Sequence, residues 1–109
     1  MTESIGIILT SLDDASMAKK LARRLVEKRL AACVQINGPG CSVYHWHGEL
    51  QETDEYFLSI KALPEHQDEI IRWLERHHPY DTPEVIVLQG QAAKAYADWV
   101  TQSTGMIQS

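Results

Sequence analysis

Short apolar runs and amphipathic segments alternate along this chain in an order that few folds accommodate. Apolar runs rich in β-branched residues predict strands, and apolar side chains recurring every three or four positions predict helices. These patterns predict a strand, a helix, two strands, a helix, a strand and a helix, built around residues 5–9, 13–30, 32–47, 56–61, 64–77, 85–88 and 93–100. The first six elements form two βαβ crossovers whose strands interleave in one antiparallel sheet. The sequence therefore predicts a ferredoxin-like α+β fold, βαββαβ, with an extra C-terminal helix.

The tripeptide Gly38-Pro39-Gly40 interrupts the second predicted strand. It is either a turn between two separate strands or a kink within one long strand, since glycine permits bulges and proline is tolerated at a sheet edge. We favour the kink. The second and third strands then form one long bent hairpin.

Length and charge restrict the functions that this chain can have. Its 109 residues show no break in composition, so we expect a single domain over residues 1–109, ordered from about residue 4 to residue 104 and frayed from Met106 onward. The formal net charge is −5, and the ten Lys and Arg are scattered apart from two adjacent pairs on the first helix, which argues against nucleic-acid binding. Residues 1–9 show neither a signal peptide nor a membrane span. We therefore expect a cytoplasmic protein that does not bind membranes.

Large side chains are predicted on both faces of the second and third strands. Successive strand residues alternate between the two faces, so Tyr44, Trp46, Tyr56 and Phe57 project in both directions. The two helices of the crossovers can cover only one face of the sheet. A homo-oligomer is the economical way to cover the aromatic surface of the other face.

Two adjacent histidines, His77 and His78, end the second predicted helix just before Pro79. Neighbouring residues of a helix point about 100° apart, but a residue that precedes proline is pushed out of the helical region, so we expect His78 to be extended and the imidazoles to be re-aimed. Two ligands are too few for a stable copper or zinc site, so Asp81, Glu84, water or another subunit would have to contribute. Alternatively, the histidines bond the free carbonyls at the helix end and interact with its dipole.

The sequence His45-Trp46-His47 offers a second, weaker candidate metal site. Residues two apart on a strand project from the same face, so both imidazoles would face one ion. Cys41 has the same parity, and a bend in the strand would bring in its thiol as a third ligand. The alternative is a pair of histidines that faces solvent or a neighbouring subunit.

The segment 79–83 places a proline at each end of a short connection that contains a tyrosine. It is either a stiff turn between helix and strand or one wall of a small-molecule cleft. In the second interpretation, the ammonium group of Lys61 would meet an anionic ligand. The residues predicted to line this cleft are Trp46, Lys61, Tyr80, Asp81 and Glu84.

The sequence contains no recognisable catalytic pattern. No serine lies in a nucleophile elbow, and no glycine-rich phosphate-binding loop is present. We therefore expect a protein that is not an enzyme.

The chain resembles the CutA-like divalent-cation tolerance proteins from about residue 5 to residue 103. The resemblance is carried by residues 10–15, Leu30-Ala31-Ala32-Cys33-Val34, Ser42-Val43-Tyr44, Trp46, Gly48, Ile60-Lys61, His78-Pro79-Tyr80, Pro83-Glu84, Tyr96 and Trp99. It implies a ferredoxin-like fold, a homotrimer in which the long bent strands pair between subunits, and a link to copper and other divalent cations. Some members for which copper ligation is described pair a thiol late in strand one with the two histidines before Pro-Tyr. This chain has Leu9 there, which should weaken a copper site and broaden its choice of metal.

Three functions are compatible with these features. The leading hypothesis is a cytosolic homotrimer that binds a divalent metal, most plausibly copper, through His77 and His78 and acts in metal tolerance. The second is a trimeric small-molecule sensor with clefts between subunits, in which metal is incidental. The third is a structural trimeric adaptor.

Overall fold

The computed structural model describes residues 1–105 and contains the predicted elements in the predicted order. The strands are β1 (Thr2–Leu12), β2 (Cys33–Trp46), β3 (Glu49–Ala62) and β4 (Ile86–Ala93). The helices are α1 (Ala15–Glu27), α2 (Gln67–His77), which follows a 3-10 turn at Pro64–His66, and α3 (Lys94–Thr104). The predicted fraying from Met106 onward falls outside the described residues. Within residues 1–105, no helix is both long and apolar enough to cross a membrane.

The strands form one antiparallel sheet in the order β2-β3-β1-β4, which confirms the ferredoxin-like prediction. Each βαβ crossover skips one strand of the sheet, so that β1 lies between β3 and β4. The strands are longer than their apolar runs, because backbone pairing continues through polar residues. Pairing of β1 with β4, for example, begins at Thr2 rather than at Ile5.

The main core lies between the sheet and the helices α1 and α2. Helix α1 starts after Asp14, whose side chain accepts a hydrogen bond of 3.0 Å from the backbone N–H of Met17, as expected of an N-cap. Leu21 and Leu25 of α1 and Leu74 of α2 are buried against the face of the sheet that carries Ile8, Leu12, Leu58 and Ile60. This packing fixes the end of α2, where His77 and His78 lie.

Within residues 1–105, the opposite face of the sheet is covered only at one end. There, Ala97 and Val100 of α3 pack against Ile5 and Ala32. Phe57, Ile86 and Leu88 remain exposed. The prediction that α1 and α2 leave the second face open is therefore correct, and α3 closes part of it.

The tripeptide at residues 38–40 is a kink within β2, as predicted. Pairing of β2 with β3 continues on both sides of it, with a register shift between Asn37 and Gly40 and a cis peptide bond between Gly38 and Pro39. Gly38 has φ of 139°, and a Cβ atom there would lie 2.8 Å from the carbonyl oxygen of Glu55, so a side chain does not fit. The kinked hairpin contributes to the 48 Å length of the molecule.

Candidate functional site

His77 lies in the last turn of α2 with its side chain exposed. Its Nδ1 donates a hydrogen bond of 2.9 Å to the carbonyl oxygen of Trp73, and its ring stacks on the Trp73 indole with centroids 4.3 Å apart. This is the contact with a free helix carbonyl that the sequence offered as an alternative. It fixes the orientation and tautomer of the ring and leaves Nε2 without a hydrogen-bond partner among residues 1–105.

His78 has the extended backbone predicted for a residue before proline, with φ of −70° and ψ of 141°, but it lies in a different environment from His77. Its side chain is 7% exposed, Nε2 donates to the carbonyl oxygen of Ser11 over 2.9 Å, and Nδ1 accepts from the backbone N–H of Tyr80 over 3.1 Å. Both ring nitrogens are therefore occupied, and His78 ties the segment after α2 to the end of β1.

Acid should destabilise the fold through His78. Burial lowers the pKa of His78 from its ordinary value of 6.5, although its hydrogen bond to Ser11 and the charges of Glu55 and Asp13 oppose that effect. As the pH falls below about 6.5, His78 binds a proton in the unfolded chain but not yet in the folded chain. The free energy of unfolding therefore decreases. The slope for this one group is at most about 1.4 kcal/mol per pH unit. Above this range the contribution is fully present.

Urea unfolding between about pH 7 and pH 5 measures this effect. The variant His78→Gln should lose part of the wild-type slope, whereas His45→Gln, a change on the exposed hairpin, should keep it. Equal slopes for His78→Gln and the wild type would show that His78 does not carry the acid sensitivity.

The second candidate metal site differs from its prediction at His47. His47 and Gly48 form the turn between β2 and β3 and have φ of 52° and 80°, the two positive values that a type I′ turn requires. The alternation of strand side chains therefore ends before His47, and the expectation that His45 and His47 share a strand face is wrong. Cys41 and His45 lie on β2, and Cys41 is an exposed free thiol. The His-Gly dipeptide was the available signal for this turn.

The described part of one chain does not hold a complete metal site. Among residues 1–105, no three or more His, Cys, Asp and Glu side chains are grouped so that they could hold an ion. This applies to the pair at the end of α2 and to the group on the hairpin. Any site built on either group needs ligands from water or from another chain.

A cleft of about 460 Å³ lies between the outer part of the hairpin, beyond the kink, and the segment after α2. Four of the five predicted residues line it: Trp46, Tyr80, Asp81 and Glu84. Lys61 does not, which corrects the prediction that it meets the ligand. It lies six residues beyond Glu55 on β3, a distance of about 20 Å along a strand, and donates a hydrogen bond to the side chain of Gln35 on β2.

The residue that organises this cleft, Glu55, was not anticipated from the sequence. Its side chain is 6% exposed and accepts hydrogen bonds of 2.6 Å from the Ser42 hydroxyl and 2.8 Å from the Tyr80 hydroxyl, with a longer contact of 3.5 Å to the Ser11 hydroxyl. The pKa of Tyr80 is raised by burial and by its bond to Glu55, so the phenol stays a donor. Glu55 thus joins β1, β2, β3 and the connection before β4.

The cleft is acidic. Asp13, Glu55, Asp81 and Glu84 place carboxylates around it, and Tyr44, Trp46 and Tyr80 contribute aromatic rings. No lysine or arginine is among its lining residues. Its chemistry therefore suits a cation and not the anion expected from Lys61.

Comparison with known proteins finds the same fold and similar sequences. The family model described as CutA1 divalent ion tolerance protein matches residues 6–103. The divalent-cation tolerance protein CutA of Pectobacterium atrosepticum is 38% identical over 104 residues, which cover 94% of each chain. CutA from Synechococcus elongatus superposes with a TM-score of 0.92 at 34% identity over 96% of this chain and 95% of that one. A periplasmic divalent cation tolerance protein CutA from Archaeoglobus fulgidus gives 0.87 at 28% identity, covering 92% and 98%.

Proposed function

The chain belongs to the CutA1 divalent ion tolerance family, and on this premise we propose that it is a homotrimeric, non-enzymatic protein that binds copper through His77 and acts in metal tolerance in the cytoplasm. The observation that carries the proposal is the state of His77. Metal-ligating histidines usually donate their other ring N–H to a carbonyl or carboxylate, which fixes the ring and raises the basicity of the ligating nitrogen. His77 already makes this bond to Trp73 and presents Nε2 to the surface.

His78 supports this site by its position and not as a metal ligand. Its nitrogens are bonded to Ser11 and Tyr80, so ligation by His78 would require that it give up one of these bonds. We propose that it holds the segment after α2 in place while His77 contacts the metal. Copper is the metal proposed because imidazole sites bind Cu²⁺ most tightly among the divalent first-row ions. Leu9, paired with Ser59 and Ile86 in the sheet, supplies no thiol that would favour Cu(I).

The trimer is proposed from the exposed surface and the incomplete donor set. Val43, Tyr44, Trp46 and Leu50 are exposed along the hairpin, and Ile86 and Leu88 on the open face of the sheet. The outer strands of the sheet, β2 and β4, each have one edge that is not paired within the sheet. Pairing of these strands between copies would cover the apolar residues, and it would bring the further ligands that one chain lacks.

Two measurements on the metal-free protein test the proposal. Sedimentation gives the mass of the assembly, and a copper titration measures binding. Three times the 12.3 kDa of one chain is the mass expected, and saturable copper binding is the expected result. A monomer, or a trimer that binds no copper, would contradict the proposal. The compartment needs separate measurement by fractionation, since one relative is described as periplasmic.

The acidic cleft favours a second candidate function, a small-molecule sensor. Carboxylates and aromatic faces together bind organic cations, since the rings attract a positive charge through their quadrupoles. The four carboxylates and the rings of Tyr44, Trp46 and Tyr80 supply both elements. In this function the ligand would be an amine, and the metal would be incidental.

We expect a linear polyamine such as spermidine to raise the melting temperature in the presence of chelator. At a concentration 100 times its dissociation constant, a ligand specific for the folded state adds about 2.7 kcal/mol. The variant Asp81→Asn with Glu84→Gln should lose most of the shift, whereas Glu52→Gln with Glu49→Gln, outside the cleft, should keep it. A shift by organic anions, or none by any amine, would count against the sensor.

A further inference from the structure

A second concavity, of about 440 Å³, lies on the outer side of the helical layer between α1 and α2. His66, just before α2, contacts the carbonyl oxygen of Leu30, just after α1, so the two helices are held together next to it. The residues that line this groove are Arg24, Lys28, Glu69, Arg72, Trp73, Arg76 and His77. We call it the basic groove, since four of its seven lining residues are Lys or Arg.

The basic groove residues of each helix are four positions apart, so they lie next to each other on one helix face. Arg24 and Lys28 are one helical turn apart at the end of α1, and Arg72 and Arg76 are one turn apart on α2. Like charges at this spacing destabilise a helix by a few tenths of a kcal/mol per pair. Each helix therefore carries an unfavourable pair where it borders the groove, with Glu69 as the one acidic residue in the lining.

The cationic groups of the groove are not consumed by contacts within the chain. Among residues 1–105, the only ion pairs within 4 Å involve Lys94, and the only guanidinium that donates a hydrogen bond is that of Arg29. Arg24, Lys28, Arg72 and Arg76 therefore keep their donors free. This holds in a chain whose net charge is −5 and which has ten Lys and Arg in all. Net charge already favours solubility, so solubility does not explain why four unpaired cations are grouped in one concavity.

We propose that the basic groove binds a small anion that carries two or more phosphate groups. Arginine presents a planar fork that bonds phosphate oxygens in pairs, and the groove offers three such forks and one ammonium group. Its volume falls within the range of about 300–1,000 Å³ for small-molecule sites. Trp73, 7% exposed, provides an apolar floor, and the stacked ring of His77 provides a wall for a flat group attached to the phosphates.

The groove is too short to favour a nucleic acid. The helices that form it have 13 and 11 residues, so neither exceeds about 20 Å in length, and the cluster occupies only part of each. Proteins that bind along a nucleic-acid backbone carry a longer basic stripe or face. Outside the groove, the cations of this acidic chain are scattered. A compact polyphosphate matches the size of the cluster.

Titration calorimetry with triphosphate, ATP and adenosine tests this proposal in the presence of chelator and at low salt. We expect triphosphate and ATP to bind and adenosine not to bind. Stronger binding of ATP would identify a nucleotide as the ligand, and equal binding would identify the phosphate chain alone. The double variant Arg24→Gln, Arg72→Gln should weaken both by about tenfold or more, because each lost charge-assisted hydrogen bond changes affinity on that scale.

The matched control is Lys19→Gln, Arg23→Gln, which removes the same charge from exposed positions of α1 outside the groove. It should lower the affinity much less than the groove variant does, because Lys19 and Arg23 lie outside the groove and contribute only a long-range charge interaction, with no hydrogen bond to the ligand. Equal losses in the two double variants, binding of a single-stranded oligonucleotide but of neither polyphosphate, or no binding at all would overturn the proposal. The Arg24→Gln, Arg72→Gln protein should still bind copper, so a failure of the polyphosphate proposal can be distinguished from a failure of the proposed metal site.

Discussion

Replacing His77 with alanine should reduce copper affinity by about a hundredfold or more, the largest functional effect expected from a single change. Loss of a residue that only supports a metal ligand costs about tenfold to a hundredfold, and a direct ligand should cost at least as much. The residue is exposed, and its ring stacks on Trp73 and bonds the Trp73 carbonyl at the end of the helix, so the fold should survive. Calorimetric titration of the chelator-treated protein with Cu(II) measures the change.

The control for this variant is His45→Ala, which removes an imidazole from the exposed hairpin and should leave copper binding unchanged. His77→Gln should resemble His77→Ala, because an amide does not replace imidazole as a copper ligand. If His45→Ala lost copper binding while His77→Ala kept it, the metal would lie at the hairpin with Cys41 and His45, and the assignment to His77 would be wrong.

Replacing Glu55 with alanine should lower the free energy of unfolding by about 2 kcal/mol, the largest effect on stability expected outside the apolar core. The change removes the acceptor of the Ser42 and Tyr80 hydroxyl groups and leaves both without their partner next to the kink of the hairpin. A fully buried donor that loses its partner costs about 1–3 kcal/mol, and because the two hydroxyl groups are only half-buried, each should cost an amount near the lower end of that range. Urea unfolding at one fixed protein concentration measures the loss.

Two further variants separate the hydrogen bonds from the charge. Glu55→Gln keeps one acceptor oxygen and should cost less than Glu55→Ala. Glu52→Ala removes the same charge from an exposed position of the same strand and should change stability by less than about 0.5 kcal/mol. If Glu55→Ala and Glu52→Ala were equally mild, the contacts of Glu55 would not hold the hairpin together next to the kink.

The fold was predictable because its determinants are local and periodic. The alternation of Leu58 and Ile60 with polar residues, and the spacing of Leu21 and Leu25, each identify a face that must be buried. Once the order of four strands and two helical crossovers is known, the connection rules leave few possible sheet topologies. The kink at residues 38–40 followed from the chemistry of glycine and proline. The strand ends were less predictable, because pairing through Thr2 depends on β4, which is distant in sequence.

The candidate sites were less predictable because they depend on contacts between distant parts of the chain. His77 and His78 are neighbours in sequence, yet one is exposed beside Trp73 and the other is buried against Ser11. Lys61 and Glu55 share a strand, and only the position of the cleft along that strand decides which of them lines it. A pattern of residue types does not contain this information. For the His47 turn, by contrast, a local signal was present in Gly48.

Copper at His77 and a polyphosphate in the basic groove would lie close together but carry opposite charges. Arg72, Arg76 and Arg24 surround the basic groove and oppose a bare cation at His77, whereas they attract a polyphosphate. A bound anion would reduce this repulsion, so polyphosphate and copper should each strengthen the binding of the other if both proposals are correct. The family membership supports the metal proposal, and the polyphosphate proposal rests on the groove residues of this chain.

The most direct test of the central claim is diffraction from crystals of the chelator-treated protein soaked with Cu(II), collected on both sides of the copper absorption edge. We expect an anomalous peak about 2 Å from Nε2 of His77, with the bond from Nδ1 to Trp73 intact and the remaining ligands supplied by water or a neighbouring copy. A peak at Cys41 and His45 instead, or no ordered copper at a concentration that saturates the titration, would contradict the claim.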